Sequence, residues 1–148
     1  MIKEQWGDRI RKTIRPGPPK KENIMEVKFY RCATCGQIIE MIKKKPCPVM
    51  CCGKPMEEIV PGTTDASVEK HVPVWEEKDG LVTVTVGSVE HPMLDVHYIE
   101  WIVLQTKNGV QRAELKPGDA PKAVFALVPG DEVEAAYAYC NLHSLWKG

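Results

Sequence analysis

The residues best suited to metal chemistry are cysteines and histidines, and they form two groups along the chain. In the first group, Cys32 and Cys35 make a C-x-x-C motif, and the adjacent Cys51 and Cys52 follow at a distance. Each half is followed directly by a glycine, which permits the tight turn that a metal knuckle requires. Four thiolates suit a tetrahedral ion, so the spacing predicts a metal site without separating iron from a structural zinc ribbon.

Two alternatives concern the same segment. A disulfide between the neighbours Cys51 and Cys52 would close a small, strained ring. Cys47 precedes Cys51 by four positions and could replace a ligand, although a spare thiol is the simpler interpretation. We therefore expect the four-cysteine ligand set to be Cys32, Cys35, Cys51 and Cys52.

The second group contains every histidine of the chain, together with one cysteine. A single histidine is more often an ordinary surface or core residue than a ligand. The Cys140-x-x-His143 turn changes that balance, because it can bring a thiolate and an imidazole to one centre at the end of a strand. The other histidines flank predicted strands or precede a proline, where loops converge. The sequence thus predicts a mixed nitrogen–sulfur site with the ligands His71, His91, His97, Cys140 and His143.

The ligand set narrows the choice of metal for this second site. Five protein ligands exceed the four of structural zinc and the three of most catalytic zinc sites. A blue-copper site needs a weak axial methionine, which in cupredoxins follows the last histidine, but the short segment after His143 contains none. Iron with four imidazoles and one thiolate keeps one position open, and the thiolate pushes electron density toward a ligand there. Such a centre is suited to reducing an oxygen species.

Composition limits the remaining functions. The chain has 148 residues, with 20 basic and 20 acidic side chains, so no overall field indicates nucleic acid or an anionic membrane as a partner. No run reaches the roughly 18 apolar residues of a membrane span, and the N-terminus lacks the features of a secretory signal. We expect a soluble, cytoplasmic protein whose six cysteines are ligands or free thiols, since reducing compartments disfavour disulfides.

The elements that must position these ligands divide the chain into three segments. Residues 1–24 form a basic extension with a proline-rich linker. This extension is either disordered when free, or a short amphipathic helix docked on this protein or a partner, or a segment that contacts a membrane. Residues 25–61 contain short β-like runs between cysteine-bearing turns, and a segment of this length usually needs a metal or disulfides to hold a fold. We place the next boundary near Pro61-Gly62.

Residues 62–148 contain longer strand-like runs separated by turn signals, without a convincing helical period. This pattern predicts an antiparallel β-sandwich. The pair Asn108-Gly109 is the strongest hairpin signal, because both residue types tolerate positive φ in a type I′ turn. The expected fold is mainly β, with a small metal-stapled domain before the sandwich.

From about Met25 to Lys147 these motifs resemble desulfoferrodoxin, the two-iron superoxide reductase family. The resemblance is carried by the cysteine spacing and by five further motifs: Glu69-Lys70-His71-Val72-Pro73-Val74, His91-Pro92-Met93, His97-Tyr98-Ile99-Glu100-Trp101, Lys116-Pro117-Gly118-Asp119-Ala120-Pro121 and Cys140-Asn141-Leu142-His143. It implies a desulforedoxin-like domain with an iron bound by four cysteines, followed by an immunoglobulin-like, neelaredoxin-like sandwich with a second iron.

The resemblance also implies roles for individual residues. The four histidines become equatorial ligands and Cys140 the axial ligand of the second iron. Glu69 occupies the sixth position in the resting ferric state, and Lys70 lies beside the open ferrous face. The implied reaction is reduction of superoxide to hydrogen peroxide, with rubredoxin or a similar small carrier as electron donor and a homodimer as the assembly.

Two other functions remain open from the residues alone. One is a pure electron-transfer protein with a closed iron site, and the other is a zinc-stabilised binding module. A vacant ligand position on the iron would distinguish a superoxide reductase from the electron-transfer protein. Colour and redox activity would distinguish it from the zinc-stabilised module.

Overall fold

The computed structural model describes residues 26–148, so the predictions for residues 1–24 lie outside it. Within the described range the chain is almost entirely antiparallel β-structure, which confirms the predicted fold class. The elements in chain order are β1 Phe29–Arg31, β2 Ile38–Glu40, β3 Met50–Cys51, β4 Lys54–Pro55, β5 Glu57–Glu58, α1 Val68–His71, β6 Pro73–Lys78, β7 Leu81–Val86, β8 Ile99–Thr106, β9 Val110–Glu114, β10 Lys122–Ala126, β11 Val133–Cys140 and β12 Ser144–Lys147.

The first five strands form a small module with a three-stranded sheet, in the order β2-β1-β5, and a separate β3–β4 hairpin. Its core has three buried residues, Tyr30, Cys32 and Met56. A core of this size buries little apolar surface, so the module depends on additional cross-links such as a bound metal. One of the three core residues is itself a predicted ligand.

Two packed sheets form the sandwich, with strand orders β10-β7-β6 and β12-β11-β8-β9. Alternation in β7 directs Val82, Val84 and Val86 inward, where each is completely buried. β11 is one of the two inner strands of the larger sheet and pairs with both β8 and β12. Its last residue, Cys140, is therefore delivered to one end of the sandwich core.

The small module packs on the outer face of the larger sheet. Phe29 of β1 lies 4.8 Å from the ring of Trp101 and 6.0 Å from that of Tyr137, measured between centroids. Trp101 in turn stacks on Tyr139 at 5.1 Å. Burial of these aromatic surfaces holds the two parts together.

The predicted turn at Asn108-Gly109 is a hairpin, but the predicted type I′ geometry is wrong. Neither residue has positive φ, and the β8–β9 pairing ends at Gln105 and Val110, which leaves a longer loop. The Thr106 hydroxyl accepts the Gly109 N–H at 3.2 Å and closes that loop without a left-handed pair.

The type I′ geometry occurs instead at Asp79-Gly80, with φ of 53° and 74° between the paired residues Lys78 and Leu81.

The sequence patterns did not predict β12, the β3–β4 hairpin or α1. Each spans two to four residues, which is too short for a periodic pattern to be recognised. All three nevertheless adjoin predicted ligands. Among the described residues, no helix has the length and apolar character of a membrane span.

Candidate metal centres

The small module brings its four predicted cysteines together. The ligand atoms of Cys32, Cys35, Cys51 and Cys52 all lie within 4.8 Å of one another. The Sγ atoms of Cys35 and Cys51 are 3.6 Å apart, and those of Cys51 and Cys52 are 4.0 Å apart. All four are free thiols, so the structure has no Cys51–Cys52 disulfide.

Local backbone geometry explains this arrangement. Cys52 and Gly53 both have positive φ, 51° and 73°, and they form the two-residue turn between Cys51 and Lys54. This turn is a second type I′ hairpin, and it places the adjacent Cys51 and Cys52 next to the Cys32-x-x-Cys35 motif. Cys47 lies outside the set: it is exposed, and its Sγ approaches only the Pro48 carbonyl, at 3.8 Å.

The surroundings of Cys32 favour negative charge on its sulfur, whereas hydrogen bonds with neighbouring thiols raise the pKa of Cys51 and Cys52. The backbone N–H groups of Cys35 and Thr34 point at the Cys32 thiol and lower its pKa to about 6. A thiolate is the form that binds a metal. Cys32 is buried, whereas Cys35 and Cys52 are exposed.

The sandwich brings all five members of the second predicted set together, and their ligand atoms also lie within 4.8 Å of one another. His71 ends α1, and His91 and His97 lie in the connection between β7 and β8. Cys140 ends β11, and His143 lies in the tight turn before β12. Three separate connections at one end of the sandwich therefore supply the set.

The four imidazole rings are arranged as a square. Neighbouring centroids are 4.6 to 4.8 Å apart, and neighbouring ring planes are nearly perpendicular, at 76° to 82°. His71 and His97 are opposite one another, with their centroids 6.2 Å apart. The fully buried Cys140 approaches this square from the sandwich core.

For two of the histidines, hydrogen bonds select the ring nitrogen that faces the centre. Nδ1 of His71 donates to the Ser67 carbonyl at 2.7 Å, and Nδ1 of His91 donates to the Pro92 carbonyl at 2.6 Å. Their Nε2 atoms are thus left to act as acceptors.

Two further observations locate the centre of this set. The Nε2 atoms of His91 and His97 are buried without a hydrogen-bond partner. Nδ1 of His143 faces inward, 3.0 Å from Nε2 of His71 and 3.6 Å from Sγ of Cys140. Orphaned buried nitrogens are costly unless they bind something, and a metal ion fits this donor set.

Electrostatics keeps the imidazoles in the form that binds a metal. Burial lowers the pKa of His71, His91 and His97, and the charges of neighbouring imidazoles lower these values further. The pKa of His91 falls to about 4. Three of the four rings are consequently neutral near pH 7.

The Cys140 thiol is subject to opposing influences. Burial raises its pKa, whereas the backbone N–H groups of Leu142 and His143 lower it by donating hydrogen bonds to sulfur. A cation in the centre would favour the thiolate further. The tight turn after β11 therefore supplies one ligand and the donors that stabilise it.

Two residues that support the set were not predicted from the sequence. Trp146 of β12 stacks on His71 at 4.9 Å, and its Nε1 donates to the His143 carbonyl at 2.9 Å. Gly87 abuts α1 so closely that an added Cβ would lie 2.7 Å from the Lys70 carbonyl oxygen. An isolated tryptophan and an isolated glycine carry no spacing signal, so neither was predictable from pattern.

Glu69 and Lys70 lie on α1 directly before His71, and both are exposed. The carboxylate of Glu69 accepts hydrogen bonds from its own N–H and from the Ser67 hydroxyl, which lower its pKa. It is not among the clustered ligand atoms. The charge of Lys70 contributes to the lowered pKa of His71 and His97.

Comparisons with known proteins agree with this architecture. Residues 63–148 match the desulfoferrodoxin family, and residues 24–59 match the N-terminal domain of desulfoferrodoxin.

A desulfoferrodoxin homolog of Archaeoglobus fulgidus is 48% identical over 124 residues, covering 84% of this chain and 96% of that protein. The desulfoferrodoxin of Nitratidesulfovibrio vulgaris is 45% identical, covering 82% and 95%. The crystal structure of the superoxide reductase from Treponema pallidum superposes with a TM-score of 0.71 at 40% identity, covering 83% of this chain and 98% of that one. The chain therefore belongs to the desulfoferrodoxin family.

Proposed function

We propose that this chain is a superoxide reductase that converts superoxide to hydrogen peroxide at the four-histidine, one-cysteine centre. The observation that carries the proposal is the convergence of neutral imidazoles and a buried thiol on one point. The structural similarity to a superoxide reductase supports the same reaction.

The donor sets fit two irons per chain, one held by four cysteines and the other by the mixed set. In the mixed set, His71, His91 and His97 would bind through Nε2 and His143 through Nδ1, since these are the nitrogens that face inward. When bound there, ferrous iron supplies one electron to superoxide, with Cys140 thiolate enriching its electron density.

The protein residues control access and charge. Cys140 approaches from the core, so the opposite face of the imidazole square is the side available to a small substrate. Lys70, which is exposed, attracts the superoxide anion to that face. Solvent supplies the two protons that complete hydrogen peroxide. Glu69 is proposed to occupy the same face in the resting oxidised state, which requires its carboxylate to leave Ser67.

The reaction consumes one electron per superoxide, so an external donor is required, and rubredoxin or a similar small carrier suits this need. We further propose a homodimer and a division of the chain at 1–24, 25–61 and 62–148. Six free thiols suit a reducing cytoplasm.

The test is a superoxide pulse applied to the reduced protein. We expect one superoxide to oxidise one mixed-ligand iron, with hydrogen peroxide as product and no sustained turnover unless a donor is added. Catalytic release of dioxygen without a donor would instead identify a dismutase. Failure of small anions such as azide to change the oxidised spectrum would favour a closed electron-transfer site.

A further inference from the structure

Asn141 occupies the turn between two predicted ligands, yet nothing in the metal set assigns it a task. Its side chain contacts a different segment of the chain, the one that carries His97. Oδ1 accepts the Tyr98 N–H at 3.0 Å, and Nδ2 donates to the Val96 carbonyl at 3.1 Å. The Asn141 N–H also donates to the Tyr98 carbonyl, at 3.2 Å.

These three bonds enclose His97, which is the residue between Val96 and Tyr98. The segment has little other support, since Leu94 and Val96 are 62% and 74% exposed. Its own backbone pairing is a single isolated bridge between Leu94 and His97. Asn141 therefore adds hydrogen bonds on both sides of His97 to the bridge that pairs this residue with Leu94.

The chemistry of the contact requires an amide. The Tyr98 N–H needs an acceptor and the Val96 carbonyl needs a donor, and the planar side chain of asparagine offers both at fixed separation. Aspartate supplies only acceptors and would direct one oxygen at the Val96 carbonyl. Alanine supplies neither and leaves both backbone groups without their partner.

We infer that Asn141 is a positioning residue that fixes His97 relative to Cys140, so that two ligands distant in sequence meet at one ion. The inference rests on the proposed metal site but not on the superoxide reaction. Supporting groups of this kind typically change metal affinity by about 10- to 100-fold when they are removed.

The experiment measures cobalt(II) binding to the metal-free full-length chain, followed by visible absorption. In the Cys140→Ala protein, only the four-cysteine site contributes to the cobalt absorption. This spectrum is subtracted from that of each other variant to give the absorption of the mixed site. Asn141→Ala should weaken cobalt binding at the mixed site by about tenfold and alter its absorption bands. Asn141→Asp, which keeps an acceptor for the Tyr98 N–H but loses the donor to the Val96 carbonyl, should lie between alanine and wild type. Asn108→Ala is the matched control, since it removes an asparagine from a turn that carries no predicted ligand.

The outcomes separate the inference from the function. If Asn141→Ala lowers thermal stability but leaves cobalt affinity and spectrum unchanged, Asn141 is only structural and the inference is overturned. An equal effect of Asn108→Ala would also overturn it. If wild type binds no cobalt beyond the Cys140→Ala signal, the mixed site itself is wrong, and the proposed function fails with the inference.

Discussion

At the residue scale, the chemistry of the mixed site depends on hydrogen bonds that ligands make on their outer sides. Ser67 and Pro92 each accept the Nδ1 proton of a histidine, which commits the opposite nitrogen to the centre. Cys140 gains comparable support from two backbone N–H groups. The ligands are therefore oriented before any ion binds.

The charge of Lys70 should govern the arrival of superoxide. We expect Lys70→Ala to slow the second-order reaction by about tenfold, within the 10–10³ range of electrostatic focusing, and to weaken its salt dependence. Lys70→Glu should slow it further, and both proteins should retain their iron. Pulse radiolysis at several salt concentrations measures these rates, since screening acts over about 8 Å at physiological ionic strength.

Lys78→Ala is the control for this prediction. Lys78 ends β6, which begins beside the site, so it lies roughly 20 Å away along the strand. A Lys70→Ala protein with the rate and salt slope of Lys78→Ala would remove Lys70 from the mechanism.

Loss of a single ligand should empty one site only, because the two ligand sets share no residue. We expect Cys140→Ala to lose the mixed-site iron and Cys51→Ala to lose the four-cysteine iron, as measured by metal analysis with visible spectra. Cys47→Ser is the matched control and should keep both. Loss of the first iron in Cys47→Ser would mean that the wrong cysteine was assigned.

At the element scale, short and irregular pieces carry the ligands while long strands hold them apart at the correct distance. α1 has only four residues, and such a helix is not stable by itself. It is held from behind, where Val89 N–H and the Ser88 hydroxyl donate to the Glu69 carbonyl. Tertiary contacts therefore decide where His71 lies.

Gly87 provides a test of this support. An added Cβ would lie 2.5 to 2.8 Å from the carbonyl oxygens of Val89, Lys70 and Glu69, and the φ of +81° is itself unfavourable. Gly87→Ala should lower the free energy of unfolding by about 3 kcal/mol and weaken iron binding at the mixed site, because α1 must move.

Gly130→Ala is the matched control for Gly87→Ala. Gly130 has a similar φ of +83°, but an added Cβ meets nothing within 4 Å. This change should cost only about 1 kcal/mol and leave both irons bound. Equal losses of stability and metal in the two variants would contradict the proposed role of the α1 contact.

At the scale of the whole molecule, the balanced net charge conceals an uneven distribution. Residues 63–148 carry thirteen acidic and seven basic side chains, whereas residues 1–24 carry three acidic and seven basic ones. An anionic substrate therefore approaches an acidic sandwich, which increases the importance of a local lysine.

The cluster of buried histidines predicts acid sensitivity in the metal-free chain. The pKa values of His71, His91 and His97 lie below the unfolded value of 6.5, so the unfolded chain binds more protons as pH falls. The contribution of these histidines to the free energy of unfolding should be constant above this value, decrease as pH falls from about 6.5 toward 4, and then level off for His91.

Chemical denaturation of chelator-treated protein at a series of pH values measures this dependence. The matched variant is His91→Gln, which removes the most strongly shifted histidine and should flatten the curve between these pH values. An unchanged slope would assign the acid sensitivity to other groups.

Much of this molecule was predictable from the sequence, because covalent spacing and residue type act locally. Two cysteines separated by two residues must lie close together, and so must Cys140 and His143 in a tight turn. Strand alternation and turn residues likewise predicted the sandwich. Ligand chemistry favoured iron at the mixed site, and the resemblance supplied the family.

Only the tertiary structure decided how distant segments meet. The partners His71 and His143 are 72 positions apart, and their meeting depends on the pairing of strands rather than on local pattern. The same holds for Trp146 behind His71, Gly87 behind α1 and Asn141 beside His97. Such contacts depend on packing and hydrogen-bond geometry between separate elements, which no spacing along the chain encodes.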